Sequence, residues 1–181
     1  MSEAVLRLKI VLADTDPLIW RRVEVLTDTT LRQLHAVIQA ALGWDDDHLH
    51  QFHHGRETLP GRLPLDELAA RGVKRFTYVY DIGDSWEHRI QIEKKLAADP
   101  GASYPRLVDG AMCCSPEDVG GIPGFYDFLE AITDPGHPDH QDRLDWHGGP
   151  FDPLHLDMER INKQLSRIVT RRQRTAEKRR T

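Results

Sequence analysis

Cysteine is almost missing from this chain: two in 181 residues, Cys113 and Cys114, and they are neighbours. Adjacent cysteines rarely bridge to each other, because the ring they close is strained. Disulfide stabilisation is therefore not expected, which fits a reducing compartment and a cytoplasmic protein. Long apolar runs are missing too; nothing approaches the roughly 20 residues of a membrane-spanning helix. The opening MSEAVLRLKIVL carries acidic Glu3 and passes straight into an alternating pattern, so it makes a poor signal peptide. A phosphate-binding loop is also absent. Gly120-Gly121-Ile122-Pro123-Gly124 has the glycines but no Lys-Ser/Thr, and Pro123 removes an amide donor. There is no Cys-x-x-Cys pair of the kind that closes structural zinc sites.

Positive charge is scarce over most of the chain and concentrated at its end. The net charge is −5, yet residues 171–181 (RRQRTAEKRRT) hold six basic residues against Glu177, which leaves an acidic body. Arg171, Arg172, Arg174, Lys178, Arg179 and Arg180 are candidate nucleic-acid contacts through phosphate. A solvated helix end whose charge complements the helix dipole is the plainer reading, since no aromatic residue stands among them to stack on a base. Hydrophobic residues make up 39%, enough at this length for one domain with a core.

Residues 5–12 alternate Leu6, Leu8, Ile10 and Leu12 against Arg7 and Lys9, the period of a half-buried strand. Asp14-Thr15-Asp16-Pro17 is a turn, and a partner strand follows over 18–25 with Ile19, Val23 and Val25 in phase. Arg21 breaks that phase and should be polar-facing or bulged; with Arg22 it makes either an anion site or, more plainly, part of a solvent face. Thr30 with Gln33 is a capping box opening a helix that carries Leu31, Leu34, Ile38, Ala41 and Leu42 and stops at Gly43. His35 sits at the edge of its apolar stripe. After Trp44 and Asp45-Asp46-Asp47 comes His48-Leu49-His50-Gln51-Phe52-His53-His54; as a strand it places His48, His50 and Phe52 on one face. A short helix over 65–70 precedes two strands in residues 76–92, joined at Asp81-Ile82-Gly83-Asp84. The second strand turns Trp86, His88, Ile90 and Ile92 to the core, a histidine where leucine would be cheaper. The order ββαβ-short α-ββ predicts an α+β fold, a mixed β-sheet of β-grasp-like order, followed by a helical C-terminal subdomain. Residues 1–95 form the sheet part and 96–170 loops with helices near 125–133, 137–146 and 153–169, together one domain; 171–181 is a basic tail.

Several segments together resemble a known family. They are Ile19-Trp20-Arg21-Arg22, residues 31–44 ending in Leu42-Gly43-Trp44, His48-Leu49-His50-Gln51-Phe52, Tyr80-Asp81-Ile82-Gly83-Asp84-Ser85-Trp86-Glu87-His88, Cys114-Ser115-Pro116-Glu117-Asp118-Val119-Gly120-Gly121, and Phe151-Asp152-Pro153. The resemblance, over about residues 5–165, is to the plasmid Ri open-reading-frame-three-like proteins, also called insertion-element passenger proteins of TnpR type. It implies a compact α+β domain associated with plasmids and mobile elements, without an established activity. The TnpR label points to a resolvase, but Ser2, Ser85, Ser103, Ser115 and Ser166 have no set of arginines around a nucleophile, so recombinase activity is not carried over. The family pattern reads Cys-Pro-Pro-Glu-Asp-Cys-Gly-Gly where this chain has Val119 at the second cysteine; a metal or redox pair there would lack one partner.

The donors His48, His50, Asp84, His88 and Cys114 form the candidate metal set, suited to zinc or another divalent ion. Asp84 and His88 are the candidate catalytic acid–base pair with Cys114 as nucleophile; equally, they are a hydrogen-bonded lock on the turn. His137 and His140 read as capping residues and Asp45-Asp46-Asp47 as a solvated turn. The function expected is a non-catalytic binding or accessory module for a protein or peptide. A metal-dependent hydrolase or nuclease is the opposing class, and nucleic-acid binding by the tail is the third.

Overall fold

The computed structural model describes the backbone of residues 4–178 and the side chains of residues 4–168. β1 (Ala4–Leu12) pairs with β2 (Trp20–Leu26), and the inward residues of the alternating pattern, Leu6, Leu8, Ile10 and Leu12, are buried. Helix α1 (Leu31–Leu42) starts with the expected reciprocal cap: Gln33 N donates to the Thr30 hydroxyl (3.4 Å) and Thr30 N to Gln33 Oε1 (2.9 Å). It ends at Gly43, whose φ of 84° is free of steric cost only for glycine. Its apolar face, including Leu31, Leu34 and Ile38, covers the sheet.

The chain continues through β3 (His50–His54), β4 (Glu57–Leu59), α2 (Leu65–Ala70), β5 (Arg75–Tyr80), β6 (Trp86–Ala97) and β7 (Arg106–Ala111). Three helices close it: α3 (Gly121–Thr133), α4 (His140–His147) and α5 (Met158–Lys178). The seven strands lie in the order β4-β3-β5-β6-β1-β2-β7. The fold is α+β as expected, but the sheet is antiparallel at every pairing rather than mixed. Period-two patterning fixes which face a strand buries and says nothing of its direction; here β6 returns against β1 with Ile10 opposite Ile90 and Leu12 opposite His88. β4 and β7 are short edge strands without clean alternation, which hides them in the sequence.

Arg21, expected to face solvent or a bulge, is a second correction. It points inward from β2 in phase with Ile19, Val23 and Val25 and is only 1% exposed. Glu24, also buried, is held from both sides by Arg7 and Arg106.

The glycine-rich segment is the start of α3. A Cβ on Gly124 would lie 2.0 Å from the Val119 carbonyl oxygen, so its bareness permits a close backbone approach. Phe125 and Phe128 of α3 and Ile161 and Leu165 of α5 belong to the same buried cluster as the sheet residues, and α5 packs on α1 and β7. The side chains of Arg171, Arg172, Arg174, Lys178, Arg179 and Arg180 lie outside the described residues. Among the described residues no helix is long and apolar enough to cross a membrane.

Candidate functional site

Three segments far apart in sequence meet at one end of the sheet: the loop after α1 (43–49), the β5–β6 turn (81–85) and the loop before α3 (113–120). Tyr80, the last residue of β5, ties them together. Its hydroxyl donates to Glu117 Oε1 at 2.5 Å and accepts from the Asp47 and His48 amides at 3.0 and 3.3 Å. Trp44 stacks on the Tyr80 ring and donates its indole N–H to the Ser115 carbonyl at 2.9 Å. Glu117 Oε2 accepts from Asp45 N (2.7 Å), and Asp84 Oδ2 accepts from Gly120 N (3.1 Å). Each of these bonds joins different segments, so Tyr80 and the three loops hold one another.

Within this frame His48, Asp81 and Asp118 form a group whose donor atoms all lie within 4.8 Å of one another. His48 Nε2 is 3.0 Å from Asp118 Oδ1, and His48 Nδ1 is 3.7 Å from Asp81 Oδ2. His48 Nε2 is occluded from solvent, and among the described residues Asp118 is its close polar neighbour. Burial opposes charge on the ring, but Asp81 and Asp118 outweigh it and hold the imidazole above its ordinary pKa. Asp81 and Asp118 both adopt left-handed backbone, φ 53° and 58°, a conformation that costs most side chains energy and that aspartate tolerates better. Asp81 Oδ1 also accepts from Gly83 N at 2.9 Å, which fixes the carboxylate on its turn. Exposed Leu49 (74%) and Ile82 (58%) flank the group.

A second group, His35, Asp46 and His50, lies beside it. His35 Nε2 meets Asp46 Oδ1 at 2.6 Å and Nδ1 meets the Tyr78 hydroxyl at 2.7 Å; that hydroxyl accepts from Gln39 Nε2 at 3.0 Å. One tautomer satisfies the chain: Tyr78 donates to Nδ1 and Nε2–H donates to Asp46. Desolvation lowers the pKa of His35 and of His50, which stacks on it at 3.5 Å with planes 8° apart. Stacked rings hold their in-plane lone pairs in separate parallel planes, which keeps them from converging on one ion, and both His35 nitrogens are occupied. This group is a hydrogen-bonded network.

The five donors expected to pool are thus dispersed. His48 and His50 belong to different groups. Asp84 binds Gly120 N, while His88 is wholly buried with Nδ1 at 3.1 Å from the Trp86 carbonyl and Nε2 unpartnered. Asp84 and His88 therefore have separate partners and make neither a dyad nor a mutual lock. Cys114 is buried beside Arg21; burial pushes its thiol up to about 12, against the pull of the guanidinium, so it is a poor nucleophile. His137 accepts from Asp139 N and His140 meets the Ala131 carbonyl, consistent with their structural reading. The sequence reading missed Asp81, Asp118, Tyr80 and Glu117. Asp81 carries a local signal, the Asp-x-Gly of an Asx turn, whereas Asp118 reaches His48 only through tertiary contact.

Residues 4–160 match the family described as plasmid pRiA4b ORF-3-like protein. The chain belongs to that family. An uncharacterized protein y4hQ of Sinorhizobium fredii (strain NBRC 101917 / NGR234) is 37% identical over 187 residues, covering 94% of this chain and 95% of its own. A crystal structure of a protein of unknown function, MM3350 from Methanosarcina mazei Go1, superposes with a TM-score of 0.81 at 32% identity, over 88% of this chain and 98% of that one. The plasmid ORF-3-like resemblance rested on several separate motifs, and three of them, at residues 48–52, 80–88 and 114–121, supply the His48–Asp81–Asp118 group.

Proposed function

We propose that this chain binds one divalent transition-metal ion through His48, Asp81 and Asp118 and serves as a metal-dependent hydrolase. The observation that carries the reading is the clustering of one donor atom from each of the three residues within 4.8 Å of one another, with His48 Nε2 occluded from solvent and 3.0 Å from an Asp118 oxygen. Donor atoms around a common ion stand roughly 3 Å apart and aim at the ion rather than at each other. One imidazole and two carboxylates suit Zn²⁺, Mn²⁺ or Fe²⁺. Three protein ligands leave positions for water and substrate, the arrangement that activates a water for attack. A non-catalytic module that captures a peptide or protein is the second reading, favoured by exposed Leu49 and Ile82 at the rim.

The test is calorimetric titration of chelator-treated protein with Mn²⁺ and Zn²⁺, for wild type, His48→Ala and Asp118→Asn. One equivalent bound by wild type and at least tenfold weaker binding in both variants supports the site. Saturable uptake that neither substitution changes sinks it. Peptidase and phosphoesterase screens on the loaded protein then separate the hydrolase from the capture module.

A further inference from the structure

Among the described residues Arg21 is a buried charge without a counter-charge. Its Nε donates to the Ala41 carbonyl at 2.9 Å, and Nη1 donates to the Trp20 and Ala111 carbonyls at 2.8 and 2.9 Å. Among the described residues Nη2 donates to no protein group, and no carboxylate lies within ion-pair distance of the guanidinium. The same strand shows the alternative: buried Glu24 is neutralised by two arginines. Burying a guanidinium on neutral carbonyls alone is expensive unless something else supplies the negative charge.

That something has a place to sit. Arg21 lines a cleft of about 440 Å³ between the 113–117 loop and residues 147–161, where Trp44 and Phe151 supply apolar wall. Nη2 is not among the solvent-occluded polar atoms that lack a partner, so the little exposure Arg21 retains is toward this cleft. Arg160 also lines the cleft, and Arg21, Asp152 and Arg160 all act on the Cys113 thiol, the two guanidiniums against the carboxylate. Glu117, Asp152 and Asp157 also line the cleft, each accepting hydrogen bonds: Glu117 from Tyr80 and Asp45 N, Asp152 from Leu154 N, and Asp157 from Arg160 N. A Cβ on Gly110 would fall 3.3 Å from Arg21 Cδ and 2.9 Å from Leu156 Cδ2, so the edge strand is bare where the arginine stem passes.

We infer that this cleft is a binding site for a small organic anion, whose carboxylate or phosphate group is held by Arg21 Nη2 and Arg160 while Trp44 and Phe151 pack against its apolar part. The volume suits a small metabolite. The inference uses none of the three metal-site residues and stands apart from that reading.

The test is calorimetric titration of the full chain, without added metal, with inorganic phosphate and with benzoate. Expected is saturable one-to-one binding of at least one of them, at least tenfold weaker in Arg21→Met and three- to tenfold weaker in Arg160→Ala. Binding of phosphate alone identifies a phosphate ligand, and of benzoate alone a carboxylate. Should Arg21→Met fail to fold, Arg160→Ala and the cleft-filling Cys113→Phe decide, each expected to weaken binding. Failure of both probes to bind the folded wild type overturns the inference. So does binding that no folded variant alters.

Discussion

Lowering the pH should expose the cost of burying His88. Burial in the company of Trp44, Tyr78 and Trp86 pushes its pKa from an ordinary 6.5 to about 4, with the backbone of Trp86 and Tyr78 only partly offsetting the loss of water. The folded value lies below the unfolded one, so the unfolded chain takes up the proton first. Stability is full above pH 6.5, falls between 6.5 and 4, and levels out below. One such group is worth up to about 3 kcal/mol over that window. Between pH 7 and pH 4.5 most of it, about 2 kcal/mol, is lost. His88→Leu should remove this component, and at pH 7 it should be as stable as wild type or more so, because the unpartnered Nε2 goes with it. Urea unfolding of both proteins at the two pH values, followed by tryptophan fluorescence, isolates the histidine from the other nine. Equal acid losses in the two proteins would refute the reasoning, as would a His88 ring titrating near 6.5 by NMR.

Glu24→Gln should cost about 2 kcal/mol in urea unfolding, since both carboxylate oxygens accept charged hydrogen bonds from Arg7 and Arg106. Burial would raise the Glu24 pKa, but the two arginines outweigh it and lower it; the stability it confers is therefore present above the unfolded carboxylate value and lost as pH falls through the folded one. Gly124→Ala should destabilise by about 3 kcal/mol or more, because the added methyl meets the Val119 carbonyl and the backbone must move. A melting temperature within a degree or two of wild type would show that the start of α3 is looser than drawn.

Local physics made much of this fold legible. The alternation of residues 5–12 and the Thr30–Gln33 box with Gly43 are complete within their own segments, and both elements are as expected. Trp86 and His88 face the core for the same reason. What failed was non-local. Arg21 looks like a surface residue because the carbonyls of Ala41 and Ala111 that receive it come from other elements. Strand direction failed likewise, as alternation cannot distinguish a parallel from an antiparallel neighbour. The donor set was half legible: His48 was named, but the residues beside it are set by the Tyr80–Glu117 and Asp84–Gly120 bonds, which join segments over 30 residues apart.

The family's cysteine pattern offers a decisive contrast with the proposed metal group. Cys114 and Val119 both lie in the hydrophobic core, where a thiol behaves as a small apolar residue, so a valine can replace one without leaving a charge or a donor unpaired. Restoring the second thiol by Val119→Cys would reveal whether these positions can hold a metal. A thiolate must form for binding, burial already pushes Cys114 up to about 12, and the guanidinium of Arg21 beside it repels a cation. The variant should therefore fold within about 1 kcal/mol of wild type and take up no zinc beyond the wild-type equivalent. Adding His48→Ala to it should abolish uptake altogether. A further equivalent in Val119→Cys, surviving His48→Ala, would move the metal chemistry of this fold to the 114–119 loop and away from His48, Asp81 and Asp118.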